Sequence, residues 1–145
     1  MAANEVRFAP EDVRRVERWL LWYADNQEAD GTISDRVGTV ASYGSNGHRD
    51  STDSYAATFL MAARRYQKAI QGQPAAKILR AARLAFGAIA DVMQPDGLTI
   101  AKPGYGMKYL MDNVEVYGGL TEGQPCLRQS AMRRRPREPV RWRRA

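Results

Sequence analysis

Two pairs of acidic residues have the spacing expected of side chains that act together in acid–base chemistry. Asp50 and Asp53 stand three residues apart, and so do Asp112 and Glu115. Residues at this spacing lie on one face of a helix, so each pair would present two carboxyl groups together. Burial and neighbouring charges shift the pKa of such groups towards values useful in catalysis. The alternative is structural, because acids in the first turn of a helix also cap it and balance its dipole.

The composition leaves carboxylates as the groups on which any catalytic chemistry of this chain depends. Cys126 is the only cysteine and His48 the only histidine among 145 residues. These counts exclude an internal disulfide, a cluster of thiolate ligands and a metal site made of several histidines. We therefore expect neither a metal ion nor another cofactor.

Apolar periodicity predicts four helices that would position these acids. The second helix begins beside Asp50 and Asp53 and is almost entirely apolar from Tyr55 to Ala63, so we expect it to be buried on all sides. The first and third helices have one apolar face each, which is typical of outer helices. The predicted helices cover residues 10–27, 51–71, 75–93 and 107–119, with a long polar loop over 32–49 and a strand or extended loop over 98–101.

The turns contain a repeat. The segment Gln27–Ile33 is echoed by Gln94–Ile100, with 66 residues between Gly31 and Gly97, and the two acidic pairs follow at a displacement of 62. Each unit has an amphipathic helix, an Asp-Gly turn, a polar loop and an inner helix that opens with acids. One helical hairpin cannot bury its apolar side alone, so we expect the two units to stack.

The positive charge belongs to the C-terminal segment. The chain has a net charge of +6, yet residues 1–120 contain equal numbers of basic and acidic residues. Residues 121–145 have eight arginines and two glutamates and no apolar periodicity. We therefore predict a helical domain over 1–120 and a disordered tail over 121–145, whose composition is also that of GC-rich DNA read out of frame. The alternative is a basic arm that binds nucleic acid.

No targeting or membrane segment is predicted. The N-terminus lacks an apolar run after a basic start, and no stretch approaches the roughly 18 apolar residues of a membrane span. We expect a cytoplasmic protein with no membrane association.

Two stretches resemble the six-hairpin glycosidase superfamily, the (α/α)6 barrels. They are Asp-Ser-Thr-Asp-Ser-Tyr-Ala-Ala-Thr-Phe-Leu at 50–60 and Lys-Tyr-Leu-Met-Asp-Asn-Val-Glu-Val-Tyr at 108–117. In that superfamily six helical hairpins close into a toroid, and the loops leading into the inner helices form a carbohydrate-binding cleft. The resemblance implies an all-α fold with about two of the six hairpins, an incomplete toroid.

The resemblance also implies roles for individual residues. Glycoside hydrolysis uses one carboxylic acid to protonate the leaving oxygen and one carboxylate as base or nucleophile. Asp53 and Glu115 are the first candidates for these roles, with Asp50 and Asp112 in support. Four further side chains are expected near the sugar, where they would stack on it or bind hydroxyl or uronate groups: Tyr55, Tyr105, Lys102 and Lys108. The superfamily also includes epimerases and lyases.

Two hairpins would leave the faces of the inner helices uncovered. We therefore expect a carbohydrate-active fragment that is inactive alone and that self-associates through its exposed apolar faces. The alternative function is a small helical interaction module, with the open apolar face for a protein partner and the basic tail for nucleic acid.

Overall fold

The computed structural model describes residues 9–39 and 41–132, which form four helices and two short strands. Residues 133–145 of the tail predicted over 121–145 lie outside the described part of the chain. The elements in chain order are α1 (Pro10–Asn26), β1 (Arg36–Thr39), β2 (Ser42–Ser45), α2 (Thr52–Ala69), α3 (Ala76–Val92) and α4 (Leu110–Met132).

The helices form where their sequences provide start signals and apolar faces. Pro10 occupies the first turn of α1 with acids beside it, which suits the positive end of the helix dipole. Ser51 caps α2, since its hydroxyl accepts a hydrogen bond from the Ser54 N–H at 3.3 Å. The bounds predicted for these two helices and for α3 are confirmed to within two residues.

The four helices make two helical hairpins that lie side by side. Ala57 of α2 lies against Gly119 of α4, and Arg65 of α2 pairs with Glu122 of α4 at 3.3 Å. Residue numbers rise together along both helices, so α2 and α4 run parallel. The outer helices also meet, because the Gln27 side chain at the end of α1 donates to the Ala81 carbonyl of α3 at 3.1 Å.

The core lies between the outer and inner helices. Tyr23 and Phe59 stack with ring centroids 4.2 Å apart, and Trp19 packs against both rings. Burial of these side chains and of the alanine-rich faces of α2 and α3 supplies most of the apolar stabilisation. The largest apolar side chains that are fully buried are Phe59, Leu20, Leu60, Ile78, Ile89 and Val92.

The repeat in the turns is confirmed by the backbone. The Gly31 N–H donates to the Glu28 carbonyl at 3.0 Å, and the Gly97 N–H donates to the Gln94 carbonyl at 2.9 Å. Gly31 and Gly97 both adopt positive φ, 87° and 81°, which favours glycine. Two identical turns therefore end the two outer helices and direct the chain towards the inner helices.

The all-α prediction holds for most of the chain but misses a small sheet. Strands β1 and β2 form an antiparallel hairpin within the segment that we predicted as an irregular polar loop. Arg36 pairs with Ser45 and Thr39 with Ser42. The prediction fails here because glycine and serine at these positions conceal the apolar alternation by which strands are recognised.

Helix α4 also differs from its prediction. It begins at Leu110 rather than 107 and continues to Met132, beyond the predicted end at 119, so residues 121–132 are helical rather than disordered. The prediction ended the helix early because residues 121–145 lack apolar periodicity. In the structure Gly119 allows close packing of this helix, because a Cβ atom on Gly119 would lie 2.7 Å from the Cα of Ala57.

Helix α2 is not buried on all sides, contrary to prediction. Thr58 and Ala69 are exposed, and Met61 and Ala62 are half-buried. These residues border a largely apolar cavity of about 230 Å³ between α1 and α2, here called the α1–α2 groove. No helix within residues 9–39 and 41–132 is both long enough and apolar enough to cross a membrane.

Candidate functional site

Three carboxyl groups come together where α2 and α4 begin. Asp50, Asp53 and Asp112 form what we call the acidic cluster. The Ser51 hydroxyl lies between two of them, 2.7 Å from Asp53 Oδ1 and 3.3 Å from Asp112 Oδ2. The structure thus brings together three of the four acids that the sequence singled out, from two separate repeats.

Asp53 lies inside the protein. It is 0 % exposed and accepts hydrogen bonds from the Ser51 hydroxyl, from the Ser54 N–H at 2.9 Å and from the Thr99 hydroxyl at 2.6 Å. A buried carboxylate with three donors is well satisfied and has no open face for a ligand. Its geometry favours positioning of its neighbours over contact with a substrate.

Thr99 joins the beginnings of both inner helices. Its hydroxyl donates to Asp53 of α2. Its backbone N–H donates to the Asn113 side chain of α4 at 2.8 Å. The Asn113 amide returns a bond to the Thr99 carbonyl at 3.1 Å. A further bond runs from the Thr52 N–H to the Ala101 carbonyl at 2.6 Å. These contacts fix the position of α4, and with it Asp112, relative to α2.

Asp112 is the acid whose protonation is most clearly altered. Burial raises the pKa of its carboxyl group, and the charges of Asp53 and Asp50 raise that pKa further, while the hydrogen bond to Ser51 opposes them. A serine hydroxyl has one hydrogen, and Ser51 donates it to Asp53, the closer of the two acceptors. Asp112 is therefore left with the weaker partner beside two like charges, which favours its protonated form.

Glu115, the fourth acid, borders a cavity. This cavity, of about 480 Å³, is bounded by α1, the β-hairpin, α2 and α4 and is here called the aromatic cleft. Tyr55, another predicted site residue, also lines it. The Tyr55 hydroxyl donates to Asp35 at 3.1 Å, and burial together with the charge of Asp35 raises the pKa of Tyr55 to about 12.

Several residues of the aromatic cleft were missed by sequence reasoning. Trp19 and Trp22 were not among the predicted site residues, yet Trp19 is 38 % exposed and both line the cleft. Arg36 lies over the Trp22 ring, 5.8 Å from its centroid, and bonds to the Asn26 side chain. The sequence feature that could have indicated the cleft is the polar segment before α2, because it contributes Asp35, Arg36 and Tyr43 to the lining.

The remaining predicted residues lie on the loop before α4. The Lys102 ammonium donates to the Arg49 carbonyl at 2.8 Å and lies 5.5 Å from the centroid of the Tyr105 ring. Tyr105 shares a hydrogen bond of 3.0 Å with Tyr109. Lys108 is 2.6 Å from Asp96, so its charge is paired at the second Asp-Gly turn rather than with the acidic cluster.

Among the residues that the structure describes, no group of three or more acidic, histidine or cysteine side chains is arranged to hold a metal ion.

Comparison of the chain with protein-family models, curated proteins and solved structures gave no match.

Proposed function

We propose that this chain forms part of a carbohydrate-active (α/α) toroid, with the acidic cluster as its acid–base centre and the aromatic cleft as a sugar-binding surface. The observation that carries the proposal is the convergence of Asp50, Asp53 and Asp112 at the beginnings of two parallel inner helices, where burial and like charge raise the pKa of Asp112. The (α/α) packing of two hairpins supports the toroid.

The environments of the three acids suggest different roles. Asp112, whose raised pKa favours the protonated form, is the proton donor to the leaving oxygen. Asp50 is exposed and serves as the base or nucleophile. Asp53, enclosed by three donors, positions Ser51 and raises the pKa of Asp112. The proposal thus gives the two catalytic roles to Asp112 and Asp50 instead of Asp53 and Glu115, the first candidates by resemblance.

The aromatic cleft supports the sugar-binding half of the proposal. Ligand sites are usually concave, lined by aromatic and apolar side chains, with a few polar groups that fix orientation. The cleft has this composition: rings of Trp19, Trp22 and Tyr43 border it together with the carboxylates of Asp35 and Glu115. Flat rings and scattered polar groups suit a ring-shaped ligand with many hydroxyl groups.

The test is a calorimetric titration of the chain with neutral, amino and uronic acid oligosaccharides. We expect at least one class to bind, and Tyr43→Ala to weaken its binding about tenfold, which corresponds to one aromatic contact of about 1.4 kcal/mol. Val37→Ala is the matched control, because Val37 lies in the same β-hairpin but outside the cleft. The proposal would be contradicted if none of the three oligosaccharide classes bound, or if Tyr43→Ala and Val37→Ala weakened binding equally.

The rival function, a helical interaction module, has one observation in its favour. Large apolar side chains are exposed along the beginning of α4, and such patches often mark protein interfaces. Its nucleic-acid half depends on residues 133–145, outside the described part of the chain.

A further inference from the structure

Two exposed tyrosines lie on the loop before α4. Tyr105 and Tyr109 are 43 % and 44 % exposed, and their hydroxyl oxygens are 3.0 Å apart, within hydrogen-bond distance. We call them the tyrosine pair. Neither ring belongs to the lining of the aromatic cleft. A tyrosine ring that is half-exposed offers an apolar face beside a polar hydroxyl, a combination suited to ligands that are themselves part apolar and part polar.

Both tyrosines are held by contacts that leave their rings partly uncovered. The Lys102 ammonium lies 5.5 Å from the centroid of the Tyr105 ring, and the Tyr105 N–H donates to the Lys102 carbonyl at 3.1 Å. The Tyr109 carbonyl accepts a hydrogen bond from the Asn113 N–H at 3.1 Å and another from the Asn113 side chain at 2.9 Å. A ligand that binds here would need little ordering of the protein, which favours its affinity.

The tyrosine pair borders the acidic cluster. The Lys102 ammonium donates to the carbonyl of Arg49, the residue before Asp50, at 2.8 Å. Tyr109 precedes Asp112 by three residues, directly before α4. The hydrogen bond within the pair contributes most to a raised pKa of the Tyr109 hydroxyl, and the charges of Asp112 and Asp50 also contribute. The pair therefore lies close enough to both acids to feel their charges.

The aromatic cleft reaches the same acids through Asp35. One carboxylate oxygen of Asp35 accepts hydrogen bonds from the Tyr55 hydroxyl at 3.1 Å and from the Asp50 N–H at 3.2 Å. Asp35 and Tyr55 both line the cleft. Asp50 is thus joined to the cleft by a hydrogen bond, while its charge acts on the tyrosine pair. Two separate aromatic surfaces therefore border one group of acids.

We propose that the tyrosine pair is a second sugar-binding surface, and that the ligand is an oligosaccharide long enough to contact both this pair and the aromatic cleft. The glycosidic bond that lies at the acidic cluster would then be an internal bond, with sugar units bound on both sides of it. This inference rests on the proposed function and narrows it from sugars in general to chains of several units. The resemblance suggested Tyr105 alone, whereas the geometry adds Tyr109 and the position beside the acids.

The dependence of binding on chain length tests the second surface. Calorimetric titrations use oligosaccharides of cellulose, chitosan and galacturonan, from disaccharides to octasaccharides. In the class that binds, affinity should rise with length until both surfaces are occupied. Tyr105→Ala should weaken octasaccharide binding about tenfold, as expected for one aromatic contact. The losses in Tyr105→Ala and Tyr43→Ala should multiply in the double variant, because the two surfaces are separate.

A short ligand and a matched variant provide the controls. The shortest oligosaccharide that binds can occupy only one surface, so only one of Tyr105→Ala and Tyr43→Ala should weaken its binding. Tyr117→Ala removes an exposed tyrosine of α4 that is outside the pair and should leave every affinity unchanged. Circular dichroism verifies folding of each variant. If Tyr105→Ala does not fold, Tyr109→Ala replaces it, because Tyr109 is the other member of the pair.

The outcomes separate this inference from the proposed function. If Tyr43→Ala weakens octasaccharide binding and Tyr105→Ala does not, the cleft binds sugar and the second surface is refuted. Equal affinity for all chain lengths would also refute the second surface while leaving sugar binding intact. If no oligosaccharide of any length binds, the proposed function fails and this inference fails with it.

Discussion

Asp53 and Asp112 illustrate how two identical side chains acquire different properties from their surroundings. Asp53 receives three hydrogen bonds in a fully buried position, so its role is to hold the beginning of α2 against Thr99. Asp112 is half-buried, shares one weak contact with Ser51 and faces two other carboxylates. The same sequence pattern, an acid at the start of an inner helix, therefore yields a structural group in one repeat and a titratable group in the other.

The structural role of Asp53 predicts a large loss of stability on its removal. Asp53→Ala should lower the free energy of unfolding by about 2–4 kcal/mol, since it leaves two hydroxyl groups and one backbone N–H without their acceptor. Urea denaturation measures the change. Asp91→Ala, at an exposed position of α3, is the control and should change stability little. Equal effects of the two substitutions would show that the Asp53 hydrogen bonds contribute nothing.

The raised pKa of Asp112 predicts a pH-dependent effect of Asp112→Asn. A carboxyl whose folded-state pKa is raised contributes stability below its unfolded pKa of about 3.9 and loses that contribution as pH rises through the folded-state pKa. Asparagine cannot ionise and avoids this loss. The variant should therefore melt at a higher temperature than the unmodified chain at pH 7, and this advantage should vanish below pH of about 4. If Asp112→Asn were less stable than the unmodified chain at pH 7, the raised pKa of Asp112 would be contradicted.

At the scale of elements, glycines determine how closely the helices approach. A Cβ atom on Gly31 would lie 2.1 Å from the Leu84 carbonyl oxygen of α3, and one on Gly119 would lie 2.7 Å from the Cα of Ala57. The first glycine allows the turn after α1 to pack against α3, and the second allows the two inner helices to meet. Both repeats therefore depend on backbone contacts that side chains would prevent.

Two glycine substitutions in helices should have opposite effects. Gly119→Ala should destabilise the chain by about 1–3 kcal/mol, because the added methyl group collides with the backbone of α2. Gly87→Ala should stabilise it by about 0.5–1 kcal/mol, because a Cβ there meets open space and alanine favours the helix. Thermal denaturation of both variants measures the difference. Stabilisation by both would mean that α2 and α4 are not in close contact.

The elements that sequence reasoning predicted are those with local signals. Apolar periodicity and Pro10 identify α1, and the Asp-Gly turns identify the repeat. The end of α4 was missed because residues 121–132 lack the apolar periodicity by which a helix is recognised in a sequence. The aromatic cleft was missed because it depends on tertiary contacts, such as the bond between Tyr55 and Asp35, twenty positions apart.

At the scale of the whole molecule, the acidic cluster and the α1–α2 groove occupy different regions. The acidic cluster lies at the N-terminal ends of α2 and α4, whereas the groove extends along α1 and α2. In the toroid that we propose, every inner helix would keep the parallel arrangement of α2 and α4. All inner helices would then begin at the same end, and their acids would gather on one face.

The most direct test of this account is a carbon-13 NMR titration of the Asp112 carboxyl group. The proposed proton donor should titrate above the ordinary aspartate value of about 3.9, because burial and the charges of Asp53 and Asp50 favour its protonated form. Asp50→Asn should lower that midpoint by removing one of these charges. A midpoint at or below the ordinary value would contradict the assignment of Asp112 as the acid of this site.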